Sequence, residues 1–500
     1  MPILQLSPRL NKISTEILAG FVLVCGVLFS VPAFGSTLSS WISTQEPQSE
    51  AFMLADISRD DAAKGSVVAA PKQTIDYYYH WVRDAGLTID VVVGLYAHAT
   101  DENDKANYFQ ILSDYVDFST RIQQSQNKSG NPWDTGPGEP KFNVDGSDYA
   151  DRWGRPQNDG PAIRASGLIR LAHLMIDQGQ MDWVQAHLYQ STESAATLLK
   201  NDLEFVAHHW GDPSYDLWEE VVGTHFYTRM VQRRAMIEGA ELADRMGDSG
   251  AAANYRSQAQ QIEQQLANHW DDQKDYLVAS LNVDPNDARY NSKDGLDVAV
   301  VLGVLHGTAL HHDPSTATAD EVLFSVVDDR IILTAEKLRE TFQSIYPVNS
   351  EGTGLAPGIG RYPNDTYDGV SSHSHGNPWF LATNAFAELY YRTANVIAQK
   401  RSVQVTPTFA YWVGQLSQGS QVGLQQNETL TSSDPKFAQL LSVIRLNGDE
   451  FLKRTQYHST SDGGLSEEFN YQTGYMQGAE NLTWSHASLI TAVWARSNQQ

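Results

Sequence analysis

The run Tyr215-Asp216-Leu217-Trp218-Glu219-Glu220 places two adjacent carboxylates beside a tryptophan. A second glutamate pair, Glu467-Glu468, stands near the far end in Gly464-Leu465-Ser466-Glu467-Glu468-Phe469. Paired acids among aromatics suit cleavage of a bond between two sugars. One carboxyl must hold its proton near neutral pH and deliver it to the leaving oxygen. The other must be ionised, to activate water or attack carbon. A glutamate pair alone is more often a solvated helix face. Aromatic neighbours and three further motifs set these pairs apart.

The first of these motifs is Asp76-Tyr77-Tyr78-Tyr79-His80-Trp81-Val82-Arg83-Asp84. An adjacent Arg83 and Asp84 can grip neighbouring hydroxyls, donor on one and acceptor on the next, while Tyr and Trp wall the pocket. Trp153-Gly154-Arg155-Pro156-Gln157-Asn158-Asp159-Gly160-Pro161 is the next. Between the two glutamate pairs, Gly360-Arg361-Tyr362-Pro363-Asn364-Asp365 leads on to Asn377-Pro378-Trp379.

Helices must position these motifs. Apolar residues recur at three- and four-residue steps over 85–98, 108–123, 163–178, 184–208, 227–246 and 251–269. The same period returns over 296–307, 335–343, 379–399, 436–455 and 484–495. Strand-like alternation is scarce, so the expectation is an all-α chain of about a dozen helices. Long Gly/Pro/Asp/Asn segments at 130–160, 211–223, 354–378 and 459–481 carry the motifs. Their Trp, Tyr, Arg and carboxylates are not the composition of disorder, so they read as ordered, site-building loops. Recurrence after every few helices suits a helical barrel with loops gathered at one end. Periodicity alone leaves a solenoid or a bundle equally open.

The net charge of −25 over 500 residues argues against nucleic acid and against a polyanionic substrate or anionic membrane surface. A neutral substrate fits it best. Arg9 and Lys12 precede an apolar stretch over 17–34 that ends Pro32-Ala33-Phe34-Gly35-Ser36. This reads as a signal peptide at 1–35, followed by one domain at 36–500 and a secreted or periplasmic location; an uncleaved anchor is the alternative. Cys25, the single cysteine, lies inside that stretch, so the remaining chain would contain no disulfide.

Taken together, the motifs resemble the glucoamylases, glycoside hydrolase family 15. The matching pieces are Tyr77 to Asp84, Trp153 to Pro161, Tyr215 to Val221, Gly360 to Pro363, Gly376 to Phe380, Leu465 to Phe469 and Leu482 to Ser485. They occur in the family's order at similar spacing, over essentially 36–500. The resemblance implies an (α/α)6 barrel of six inner and six outer helices with the site in a pocket at one end. It implies exo-acting hydrolysis of α-1,4-linked glucose from non-reducing ends, more slowly of α-1,6 links, releasing β-glucose. Glu219 would be the general acid and Glu467 the general base, with carboxyls roughly 6.5–9.5 Å apart to admit a water. Tyr77, Arg83, Asp84, Leu217, Trp218 and Arg361 would surround the terminal glucose. Trp81, Trp153, Glu220 and Trp379 would line the pocket, and Asp365 and Tyr367 would support the Arg361 loop. A neutral α-glucan is the implied partner, with no metal, no cofactor and no nucleic acid, for a chain expected to be a monomer.

Three positions depart from the family pattern: His80, where a threonine is common; Asn158, where an arginine is; and Gly478, near a usual serine. A related α-glucoside hydrolase acting on isomaltose, dextran or trehalose is the alternative reading. Gly247-Asp248-Ser249-Gly250 has the look of a serine-nucleophile loop, but no histidine is placed to serve it. His373-Ser374-His375 reads as a structural or solvated loop pair, not a metal site.

Overall fold

The computed structural model describes residues 37–191, 197–286, 293–312, 324–350, 352 and 354–498. The signal-peptide expectation at 1–35 lies outside them. Six helices pack side by side in a closed ring: α2 (Val82–His98), α4 (Gly160–Asp177), α7 (Phe226–Arg245), α9 (Ala299–Gly307), α11 (Phe380–Lys400) and α14 (Thr483–Ser497). Each touches the next, and α14 returns to α2. A second layer packs outside it: α1 (Leu38–Ala55), α3 (Glu102–Gln123), α6 (Leu198–His209), α8 (Ser249–Leu266), α10 (Asp329–Ile345) and α13 (Pro435–His458). The short α5 (Met181–His187) and α12 (Pro407–Gln415) lie in connections. The expected (α/α)6 barrel is therefore the fold.

Sequence explains which helix goes in which layer. An inner helix is buried on every side, so it is either apolar all round, as α9 is, or pairs its polar side chains, as α7 does where Arg234 donates to Glu238 at 2.8 Å. In α7 each residue from Phe226 to Ala240 is buried, and α9 reads Ala-Val-Val-Leu-Gly-Val-Leu-His-Gly. The outer α10 instead buries one stripe that includes Ile331, Ile332, Leu338 and Phe342. Close contact between inner helices needs small residues: a Cβ on Gly307 would come within 2.8 Å of the Met230 carbonyl oxygen.

Some boundaries differ from expectation. The periodic run 184–208 divides into α5 and α6, because Val184 O accepts from both Leu188 N and Tyr189 N and the helix ends there. Helices α1 and α12 were not expected. The buried seam of α1 includes the polar Gln45 and Ser49, which dilutes its apolar period, and α12 is short. The Gly247–Gly250 motif is the α7–α8 junction, with Asp248 capping α8 through the Ala251 N–H. Strands are limited to short ladders, such as His80–Trp81 with Lys141–Phe142 and Glu468–Phe469 with Met476–Gln477. Among the described residues no helix is long and apolar enough to cross a membrane.

All six inner helices aim their N-termini at the same end, where the four motif-bearing loops gather. Unpaired N–H groups and the positive helix-dipole ends thus face one place, a setting that favours carboxylates.

Candidate active site

A cavity of about 610 Å3 lies at that end. Tyr77, Trp81, Arg83, Asp84, Trp153, Leu217, Trp218, Glu219, Glu220, Arg361, Tyr367, Trp379 and Glu467 all line it. Asp365 is the one expected site residue that does not. It is buried behind the wall, where Arg361 Nε and Nη2 donate to it at 2.7 and 2.6 Å.

Glu219 owes its direction to a turn. Asp216 Oδ1 accepts from Glu220 N at 2.7 Å and Val221 N at 3.1 Å, and Asp216 O accepts from Glu219 N at 2.9 Å. This turn holds Glu219 at φ +64, a left-handed conformation unusual outside glycine. Two adjacent carboxylates consequently serve different neighbours. Glu219 Oε1 accepts from Trp81 Nε1 at 2.9 Å and lies 3.4 Å from Arg83 Nη2. Glu220 accepts from Arg361 Nη2 at 3.0 Å, Tyr362 Oη at 2.8 Å and Lys293 Nζ at 2.7 Å. Lys293 also holds Asp216 at 2.7 Å; burial disfavours the Asp216 carboxylate, but this ammonium outweighs it and lowers the pKa to about 2.

Glu467 comes from the far end of the chain and is 1% exposed. Its carboxylate accepts from Tyr77 Oη at 2.9 Å, Tyr367 Oη at 3.2 Å and Ala479 N at 3.3 Å. Burial raises its pKa, while these donors oppose the rise by favouring the ionised form. Glu468 points the other way and accepts from Asn377 Nδ2 at 2.7 Å; burial and repulsion from Glu467 hold it protonated well above the usual carboxyl range. Gly478 makes room for the base: a Cβ there would come within 2.4 Å of Glu467 Oε2.

Charged groups in the walls are tightly held. Gln157 and Asp159 fix Arg83 at 2.8 and 3.2 Å, and the Asp84 carboxyl lies 3.4 Å from its Nε. Burial lifts Asp84 to about 6 despite that guanidinium. Arg361 is ringed by Trp218, Tyr362, Tyr367 and Trp379, with centroids 5.0–5.4 Å from its Cζ. The Trp218 indole donates to Asp297 at 3.0 Å, and burial raises that acid to about 7.

Several residues here were not singled out from sequence. Lys141 is caged by Trp153, Tyr79, Tyr149 and Trp81 at 3.6–4.3 Å and braces two of the tryptophan walls. Lys293 lies outside every motif, and only folding brings it in. Tyr362 and Trp484 lay inside quoted motifs, so their signal was present. His373 lines the cavity. Among the described residues no group of three or more His, Cys, Asp or Glu side chains could hold a metal ion. Of the departing positions, His80 is fully buried, with its Nδ1 accepting from Val67 N, and Asn158 lies beneath the site with its carbonyl accepting from Gln232.

Comparison with known proteins agrees with this architecture. The model for "Glycosyl hydrolases family 15" matches residues 50–494. A glucoamylase of Blastobotrys adeninivorans is 36% identical over 476 residues, covering 93% of this chain and 73% of its own length. Glucoamylase 1 of Rhizopus oryzae is 37% identical over 468 residues, covering 93% and 72%. The solved glucoamylase of Saccharomycopsis fibuligera superposes with a TM-score of 0.82 at 29% identity, covering 93% of this chain and 96% of that one. The Hypocrea jecorina enzyme superposes with a TM-score of 0.81 at 31% identity, covering 92% and 73%. With seven motifs in order, a closed double ring of helices and a family match over nearly its whole length, the chain belongs to glycosyl hydrolases family 15.

Proposed function

We propose that this glycoside hydrolase is a glucan 1,4-α-glucosidase, removing single glucose units from the non-reducing ends of neutral α-glucans with inversion. The observation that carries the reading is the shared cavity: Glu219 and Glu467, about 250 positions apart, line the same walls. Glu219 gives its proton to the glycosidic oxygen as the bond from that oxygen to C1 breaks. Glu467 takes a proton from the water that attacks C1 from the opposite face, so an α-linkage yields β-glucose. Three donors around Glu467 favour the ionised form that a base needs. Arg83, Asp84 and Arg361, each locked by neighbours, grip the hydroxyls of the terminal ring, and the tryptophans pack on its faces. Residues 1–35 are proposed to act as a signal that directs the chain to the periplasm or the medium.

NMR of the first product from maltotriose tests the mechanism. β-Glucose is expected, and α-glucose as the first anomer would refute inversion. Glu219→Gln and Glu467→Gln should each lower kcat about 1000-fold while substrate still binds. Comparable rates on trehalose or dextran would favour the related α-glucosidases instead.

A further inference from the structure

Of the chain's twelve tryptophans, Trp133 alone is exposed, at 63%. It stands on the rim of a groove of about 1090 Å3 on the outer barrel wall. Lys200, Glu204 and His208 of α6 form one side of the groove, and Ala251 and Asn254 of α8 the other. This groove shares no residue with the catalytic cavity.

The Trp133 loop is built to stay put. Trp133 N donates to Asn131 Oδ1 at 3.0 Å, and Gly136 N to Asn131 O at 2.9 Å. Asn127 Nδ2 donates to Gly136 O at 2.9 Å, and Asn201 Nδ2 reaches across from α6 to Pro132 O at 3.2 Å. A large indole held in water on a pinned loop is a preorganised platform, and little ordering is left for a ligand to supply.

Charge narrows the ligand. Asp134, Glu204 and Asp248 outnumber Lys200, so a polyanion is repelled. These acids are already engaged: Asp248 and Glu204 hold Lys200 at 2.8 and 3.2 Å, and Asp134 lies 3.5 Å from His209 Nε2. A cationic ligand would therefore have to displace existing pairs. What remains is an apolar ring face beside exposed polar side chains such as His208 and Asn254, the surface that a neutral polyol matches. The upper end of the groove adjoins the catalytic end: Asn158 Nδ2 reaches His209 O at 3.5 Å, and the neighbouring Gln157 holds Arg83.

We propose that the Trp133 groove is a second glucan-binding site, one that holds an α-glucan chain on the outer wall while chain ends enter the catalytic cavity. The choice of ligand rests on the activity proposed above.

Native gels with and without soluble starch, run beside maltotriose kinetics, test the proposal. Starch should retard the wild type and Glu467→Gln alike. Trp133→Ala should weaken the apparent affinity for starch about tenfold, with kcat/KM on maltotriose unchanged. Trp133→Phe should keep most of the retardation, because a ring face remains. Undiminished retardation of Trp133→Ala, or an equal loss on maltotriose, would overturn the proposal. So would a wild type that binds polylysine but not starch, since the occupant would then be a cationic partner. If the protein releases no glucose from maltotriose, the proposed activity fails, yet loss of starch retardation in Trp133→Ala still reads the groove.

Discussion

Tyr77 donates to the Glu467 carboxylate at 2.9 Å, and its hydroxyl also lies 2.6 Å from that of Tyr367. A hydrogen bond to an ionised carboxylate lowers its pKa, and burial raises it. Removing the donor leaves burial less opposed, so Tyr77→Phe should raise the Glu467 pKa. Because the base works ionised, the acidic limb of the kcat/KM profile should move to higher pH by about one unit. An acidic limb at its wild-type position would show that Tyr77 does not tune the base. Much of this residue-level chemistry was legible. Both acids and the aromatic residues stand in motifs whose side chains suit sugar chemistry. Lys141 and Lys293 were not legible, because a lysine's meaning depends on which carboxylates or rings the fold brings within about 4 Å.

Among the elements, the Asp216–Val221 turn decides where the adjacent carboxylates of Glu219 and Glu220 point. Asp216→Ala removes the acceptor for two backbone N–H groups and leaves Lys293 with Glu220 as its remaining partner. Misdirection of Glu219 should lower kcat/KM on maltotriose about 100-fold, and the half-neutralised buried lysine should cost about 3 kcal/mol of stability. Asp216→Asn keeps a side-chain oxygen for the turn, so its kcat should fall less than that of Asp216→Ala. Equal losses in the two variants would mean that the charge, not the turn, matters. Helix existence was mostly legible from periodicity, since ten of the expected segments each overlap a single observed helix. The failures have local causes: a polar seam in α1, brevity in α12, and an early helix end at His187 that no apolar pattern announces.

At the scale of the whole molecule, pH acts through opposing buried groups. Burial depresses His80, His306, His458 and His486 to about 3, so the folded chain refuses protons that the unfolded chain accepts below about 6.5. Their contribution to stability is present above the unfolded pKa and is lost as pH falls towards 3. Asp56 and Asp297, raised to about 7, and Asp84, raised to about 6, act in reverse: they stabilise at low pH and lose that contribution as pH rises through 6–7. Between about pH 4.5 and 6.5 the two sets offset each other. Below about pH 4 the unfolded carboxylates are protonated as well, and the histidine effect is reinforced by Asp216, whose pairing with Lys293 holds it near 2 and whose contribution is lost as it protonates. Four histidines at about 1.4 kcal/mol per unit give roughly 5 kcal/mol per pH unit, or about 5 °C in Tm for a chain of this size. Scanning calorimetry from pH 3 to 8 should therefore show a plateau followed by an acid cliff. A Tm that climbs below pH 4 would contradict the assignment of neutral buried histidines.

Local pattern determined what depends on near neighbours: the helices, the order of the loops, and which glutamates have the company that sugar cleavage needs. Periodicity and side-chain chemistry act over a few residues, so a single chain displays them. Only the tertiary structure decided that Glu219 and Glu467 line one cavity, that Asp365 lies behind its wall, and that Trp133 alone among the tryptophans faces water. Burial and charge pairing are functions of distance in space, and ring closure by six helices makes residues hundreds of positions apart into neighbours.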